Sequence, residues 1–277
     1  MSNGAAAATI DVDVAAVGAN DGTSPVDAFT TIQAAIDSAT TTDGDTVSIA
    51  DGTYTIAATI EVTKELSFVG ASQVGTIING AAASGAFGPF AIHSSKSNLS
   101  FSNFTLIGPS GTGRGFKLEG TTANTPSTQD GARASNINFS DITVKQSGRT
   151  GIDLNGVNNA TLNNVTLNNN GGNGFSLTDG DNLTLTNVTT FANAWGGIAI
   201  YTKGQYFPGG VTGVTVSGLN SSEVNPFYVQ TEGNDPLNPG FPFQASSISI
   251  PQFQYTGTNN LNPVSSGYTF NNDDPLE

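Results

Sequence analysis

Few residues in this chain are equipped for chemistry. Its 277 residues include 8 Lys and Arg, 22 Asp and Glu, one His and no Cys. Disulfides, thiolate metal sites and cysteine nucleophiles are therefore excluded. The single histidine, His93, lies in Ala91-Ile-His-Ser94 and reads as a loop residue rather than a general base. Half of the basic residues fall in one group, Lys117, Lys145, Arg149 and Lys203, with Asp153, Trp195 and Tyr201 among them. Lys145, Arg149 and Asp153 are the candidates for catalysis, because a base beside a carboxylate can remove the proton next to a uronate while a cation neutralises the sugar acid. Lys117, Arg149, Asp153, Trp195, Tyr201 and Lys203 are the candidates for ligand binding, since charges beside aromatic rings suit a sugar. The same residues admit a second reading, in which Lys117 pairs with Asp153 and the aromatics cover loops. Asp179 and Asp181 offer oxygens to calcium, although a tight turn explains Asp179-Gly-Asp181 equally well.

The elements that position these residues follow from self-similarity. Leu99-Ser-Phe-Ser-Asn-Phe-Thr-Leu106, Ile137-Asn-Phe-Ser-Asp-Ile-Thr-Val144, Ala160-Thr-Leu-Asn-Asn-Val-Thr-Leu167 and Leu183-Thr-Leu-Thr-Asn-Val-Thr-Thr190 share one pattern. Ile142, Val165 and Val188 recur at an interval of 23 residues, and Ile152, Phe175 and Ile198 keep the same step. Apolar and polar residues alternate within each unit, giving short half-buried strands. One such coil cannot bury its inner face, but coils stacked in parallel register build a continuous core. The reading is an all-β, right-handed parallel β-helix solenoid of seven to eight coils. In that register Lys117, Asp153, Ser176 and Ala199 share an outward column, and Glu119, Asn155, Thr178 and Tyr201 share the next. Gly172 and Trp195 follow Arg149 in a third, while Lys145, Asn168 and Phe191 form a fourth. Asn103, Asp141, Asn164 and Asn187 are expected to turn inward as an asparagine ladder.

Residues 1–24 read as a lead-in and 25–230 as the solenoid, with a short capping helix near 29–39 whose Thr30 and Gln33 are spaced as a capping box. Residues 231–275, rich in Pro and aromatics, read as an irregular C-terminal cap, and Leu276-Glu277 as a cloning scar. The run Thr31-Ile-Gln-Ala-Ala-Ile36, Gly44-Asp-Thr-Val47, Asp51-Gly-Thr-Tyr54 and Leu66-Ser-Phe-Val-Gly70 resembles the opening of pectate-lyase-like β-helix proteins. The resemblance spans about residues 25–230 and implies the fold; that superfamily includes lyases, epimerases, hydrolases, phage tailspikes and adhesins. The Gly-His-Gly and Arg-Ile-Lys tripeptides of its polygalacturonase-like members do not occur here, and Asp235-Pro-Leu stands where epimerase-like members carry Asp-Pro-His.

A formal net charge of −14 argues against nucleic acid as a partner. No run approaches the roughly 18 apolar residues of a membrane span, so membrane insertion is not expected. The expected role is an extracellular or cell-surface domain of a larger protein, acting as a structural spacer or as an adhesive module for a polysaccharide or cell-surface glycan. The alternative is a calcium-dependent lyase or epimerase acting on an acidic glycan.

Overall fold

Alternation of inward apolar and outward polar residues makes each short strand depend on the strands above and below it. In the computed structural model, which describes residues 6–120, 134–201, 211–223, 227–230 and 254–257, those strands stack into a parallel β-helix with three faces. The first face contains Thr9–Val12, Thr46–Ile49, Ser67–Gly70, Leu99–Ser102, Ser135–Ser140, Asn158–Asn163 and Gly180–Thr186. The second contains Gly52–Thr55, Thr76–Asn79, Thr105–Ile107, Thr143–Lys145, Thr166–Asn168 and Thr189–Phe191. The 11-residue strand Val211–Ser221 pairs with the last strand of both faces. The third face is a separate 7-stranded sheet.

The core is a set of stacked columns. Val47, Phe68, Phe101, Phe139, Leu162 and Leu185 are partners in one register, with the rings of Phe68, Phe101 and Phe139 stacked at 5.2 and 5.4 Å. Phe116 meets Phe101 and Phe139 edge-on from the third face at 4.9 and 5.0 Å, which locks two faces together. The expected columns at Ile142, Val165 and Val188 and at Ile152, Phe175 and Ile198 are fully buried.

The capping helix is shorter than its sequence pattern. It spans Ile32–Asp37, with Thr31 as N-cap accepting from the Ala34 N–H at 3.2 Å. Phe29 and Thr30 do not join it, because Phe29 bridges Val12 as extended chain through hydrogen bonds at 2.9 Å in each direction with Asp11 and Asp13. Lys64 closes the other end, donating to the carbonyls of Ile36 and Ser38 at 2.6 and 2.8 Å. The lead-in is also part of the solenoid, since Thr9–Val12 pairs with Thr46–Ile49. Of the stretch 231–275, only Gln254–Gly257 is among the described residues, paired in parallel with Val211–Ser221.

The amide columns differ from expectation. Asn103, Asp141, Asn164 and Asn187 hold φ between 51° and 59°, the left-handed region that Asn and Asp tolerate, so they make the bend between the first two faces. Asn164 and Asn187 point to solvent. A parallel exposed column runs through Asn98, Asn136, Asn159 and Asn182, joined by amide bonds of 2.8, 3.2 and 3.0 Å. Two amides that do turn inward are Asn170 and Asn193. Asn170 accepts from the Ser147 N–H at 3.0 Å and donates to Asn193 Oδ1 at 2.8 Å, and Asn193 donates to the Leu167 carbonyl at 2.9 Å.

This separates two kinds of asparagine experimentally. Asn170→Ala strands the buried Ser147 N–H and should cost about 1–3 kcal/mol. Asn164→Gly keeps the left-handed bend and loses only an exposed bond to Asp141, so it should change stability by no more than about 0.5 kcal/mol. Urea denaturation of the two variants checks this, and equal losses would contradict the assignment.

Candidate functional site

The third face is built from Ile60–Glu61, Phe90–Ser94, Arg114–Glu119, Ile152–Asn155, Asn173–Thr178, Gly196–Tyr201 and Phe227–Gln230. Ile60, Ile92, Phe116, Ile152, Phe175, Ile198 and Phe227 stack inward. Strand alternation then puts the following residues outward in one column: Glu61, His93, Lys117, Asp153, Ser176 and Ala199. Two residues on, Glu119, Asn155, Thr178 and Tyr201 form the neighbouring column.

These outward groups form one ionic network. Asp153 is its hub: Oδ2 faces Arg114 Nε at 2.5 Å and accepts from Lys117 Nζ at 3.2 Å, while Oδ1 accepts from Ser176 Oγ at 2.9 Å. Lys117 also lies 3.7 Å from Glu119. His93 sits between two carboxylates, with Nδ1 at 2.6 Å from Glu61 and Nε2 at 3.5 Å from Glu119. Phe87 and Phe90 stack on the imidazole at 4.9 and 5.7 Å, and the Arg114 guanidinium lies over Phe90. Although they point away from the core, His93, Lys117, Asp153 and Ser176 are all buried.

Burial alone would raise the Asp153 carboxyl, but the charges of Lys117 and Arg114 and the bond from Ser176 outweigh it and hold the group at about 2. Burial likewise opposes charge on His93, yet the carboxylates of Glu119 and Glu61 on either side of it raise its pKa above the ordinary imidazole value. Glu119 is lowered, because the neighbouring His93 and Lys117 overcome its burial. With His93 protonated, three bases face three acids.

The candidate residues fall in different places. Lys117 and Asp153 pair across the coils, as the second reading of them required. Arg149 lies instead over the Trp195 ring at 5.1 Å, with Gly172 between them in the stack. A side chain at Gly172 would crowd Arg149, its Cβ falling 3.2 Å from Arg149 Cγ. Lys145 belongs to the second face, in register with Ile107 and Asn168, so Lys145, Arg149 and Asp153 are carried by separate elements. Trp195 is half-buried. Tyr201 is buried, its hydroxyl accepting from Asn173 at 2.9 Å, so it offers no open ring for stacking. Asp179 is fully buried in a left-handed turn and Asp181 is half-buried. Among the described residues no group of three or more His, Asp or Glu side chains is arranged to hold a metal ion. Lys203 lies outside the described residues.

Sequence reasoning missed Glu61, His93, Arg114 and Glu119 as a unit. His93 is a strand residue and not a loop residue. The signal that places it is register: His93 is the partner of both Glu61 and Lys117.

These features define a parallel β-helix protein with a charged network confined to one face. The chain belongs to the right-handed β-helix family, whose model matches residues 68–218, more than half of its length. No curated protein matches it in sequence. Among solved structures, the N-terminal fragment of bacteriophage phi29 gene product 12 is 17% identical over 79% of this chain and 43% of its own, with a TM-score of 0.53. The pre-mature form of the same phage protein is 17% identical over 74% of this chain and 32% of its own, at 0.55. A rhamnogalacturonan lyase is 15% identical over 90% of this chain and 62% of its own, at 0.46. This chain thus spans less than half of the phage protein it matches, and at these identities the likeness is one of fold.

The network has two measurable consequences. Asp153→Asn leaves Lys117 and Arg114 without their counter-charge and should cost about 3–5 kcal/mol in denaturant titrations. The pH dependence follows from the two shifts. The contribution of Asp153 is complete above its ordinary range and lost as pH falls towards about 2. The contribution of His93, whose pKa is raised, is complete below roughly pH 6.5 and lost as pH rises through its folded value. The wild type should therefore lose stability relative to His93→Gln as pH rises above about 6.5, and parallel stability profiles for the two proteins would contradict the network.

Proposed function

We propose that this chain is a glycan-contacting β-helix module, one domain of a larger extracellular or cell-surface protein, and that its third face is the contact surface. The observation that carries this reading is the ionic network of Glu61, His93, Arg114, Lys117, Glu119 and Asp153. Burying charges is costly, and apolar residues of similar size often stabilise a fold equally well. A patch of donors and acceptors with an exposed Phe87 at its edge suits sugar hydroxyls and the apolar faces of sugar rings. Trp195, held under the Arg149 guanidinium, adds a second ring at the bend that leads into this face.

The network does not favour the alternative of a calcium-dependent lyase or epimerase. Lys117 and Arg114 are both engaged by Asp153, so neither is a base waiting for a substrate proton.

The test is a panel of neutral and acidic polysaccharides, scored for retention on immobilised protein and for ultraviolet absorbance from unsaturated uronides, with and without calcium. Retention without product, weakened about tenfold or more by Trp195→Ala, is the expected result. Calcium-dependent growth of absorbance would replace the binding reading with the lyase. Neither retention nor product would leave a rigid rod of roughly 35–40 Å, set by coil spacing, and would end the glycan reading.

A further inference from the structure

On the third face the charges are already matched, and that limits what can bind there. Asp153 takes Arg114 and Lys117, Glu61 takes one nitrogen of His93, and Glu119 faces both His93 and Lys117. Of the other described cations, Lys64 is tied to the capping helix, Arg149 lies over Trp195, Lys145 belongs to the second face and Lys96 is exposed in the turn after Ser94. The half-exposed rim of the network is acidic, formed by the Glu61 and Glu119 side chains at 34% and 19% exposure. A ligand carboxylate arriving there would meet these two carboxylates and a chain of net charge −14. A hydroxyl meets no such penalty, because it donates to a carboxylate and accepts from a cation in one place.

The edge of the network next to Glu61 adds an apolar platform. Phe87 stands at the tip of a two-residue turn closed by hydrogen bonds of 3.0 and 3.2 Å between Gly85 and Gly88. One face of its ring lies on His93, and the residue is 67% exposed. Beneath it, His93 Nε2 is buried without a well-formed hydrogen bond, its nearest acceptor being Glu119 at 3.5 Å. An exposed ring beside two partly exposed carboxylates is an arrangement that receives the apolar face and adjacent hydroxyls of a pyranose.

We infer that Phe87, His93, Glu61 and Glu119 form a subsite for one neutral sugar ring, which makes the ligand of the third face a neutral glycan rather than a polyuronate. The inference rests on the glycan reading above. The sugar lies against the free face of Phe87, and hydroxyls that reach past the edge of that ring donate to the partly exposed carboxylates of Glu61 and Glu119, which His93 holds in place from beneath. The charged groups facing His93 are Glu61 from the preceding coil and Glu119 and Lys117 from the following one, and the two carboxylates hold the imidazole between them.

Calorimetric titration with neutral hexasaccharides (β-1,4-glucan, β-1,4-mannan, β-1,4-galactan and β-1,3-glucan) and with hexagalacturonate tests this. The expected result is binding of at least one neutral hexasaccharide and weaker or no binding of hexagalacturonate. Phe87→Ala should weaken the neutral ligand about tenfold or more with an unchanged melting temperature, and Phe87→Trp should restore it. Preference for hexagalacturonate, or equal affinity in Phe87→Ala and wild type, would overturn the subsite. If Trp195→Ala abolishes binding while Phe87→Ala does not, the subsite fails and the glycan reading survives. If no hexasaccharide binds at all, both fail.

Discussion

Parallel stacking in register is the constraint on which the rest of this structure depends. Each coil sets its residues directly over those of the coil before, about 4.8 Å away, so every position is judged by what it does next to its own counterpart. Phenylalanine passes that test through offset stacking at Phe68, Phe101 and Phe139. Asparagine passes it because its amide donates to one neighbour and accepts from the other, as at Asn98, Asn136, Asn159 and Asn182. A charge does not pass it, since its counterpart would repel it. His93 and Lys117 are stacked neighbours and both carry positive charge when the imidazole is protonated. Glu119, in the next column, approaches both, at 3.5 and 3.7 Å. The network is thus the local solution to a problem that stacking creates.

How legible each part was depends on how regular the stack is. Where coils repeat at 23 residues, as from Ile142 to Ile198, register could be read directly, and the columns through Asp153, Ser176 and Ala199 and through Arg149, Gly172 and Trp195 occur as read; Lys117 joins the first of them although it lies 36 residues before Asp153. The earlier coils do not repeat at that interval: Glu61 and His93 are 32 residues apart and are still partners. No fixed period exposes such a pair, and so the Glu61–His93 end of the network stayed hidden although its hub, Asp153, did not.

A second class of error came from side-chain direction. The tetrad Asn103, Asp141, Asn164 and Asn187 repeats as cleanly as the inward stack through Ser147, Asn170 and Asn193, and periodicity alone cannot tell them apart. What distinguishes them is backbone conformation. The tetrad occupies the left-handed bend, where an L residue is tolerated mainly if it is Asn, Asp or Gly, so repetition there reports the turn and not the core. Both exposed columns end on a glycine with positive φ, Gly213 above Asn182 and Gly218 above Asn187, where a Cβ would fall within 2.7 Å of an asparagine oxygen. Tyr201 was misread for a related reason: its column was right, but an outward strand position on the third face is not an open one.

The contrast between faces bears on why the charges are there. On the first face the outward column runs Thr9, Thr46, Ser67, Ser100, Asn138, Thr161, Thr184 and Thr215, every member able to stack on its neighbour without a counter-ion. Hydroxyls and amides therefore suffice to finish an outer face of this solenoid. On the third face the same geometric position holds Glu61, His93, Lys117 and Asp153, which need partners from a second column and bear a desolvation cost. Stability gives no reason to replace the simpler solution with the costlier one on a single face. The proposed glycan contact supplies one, because it calls for directed donors and acceptors held rigidly by the stack.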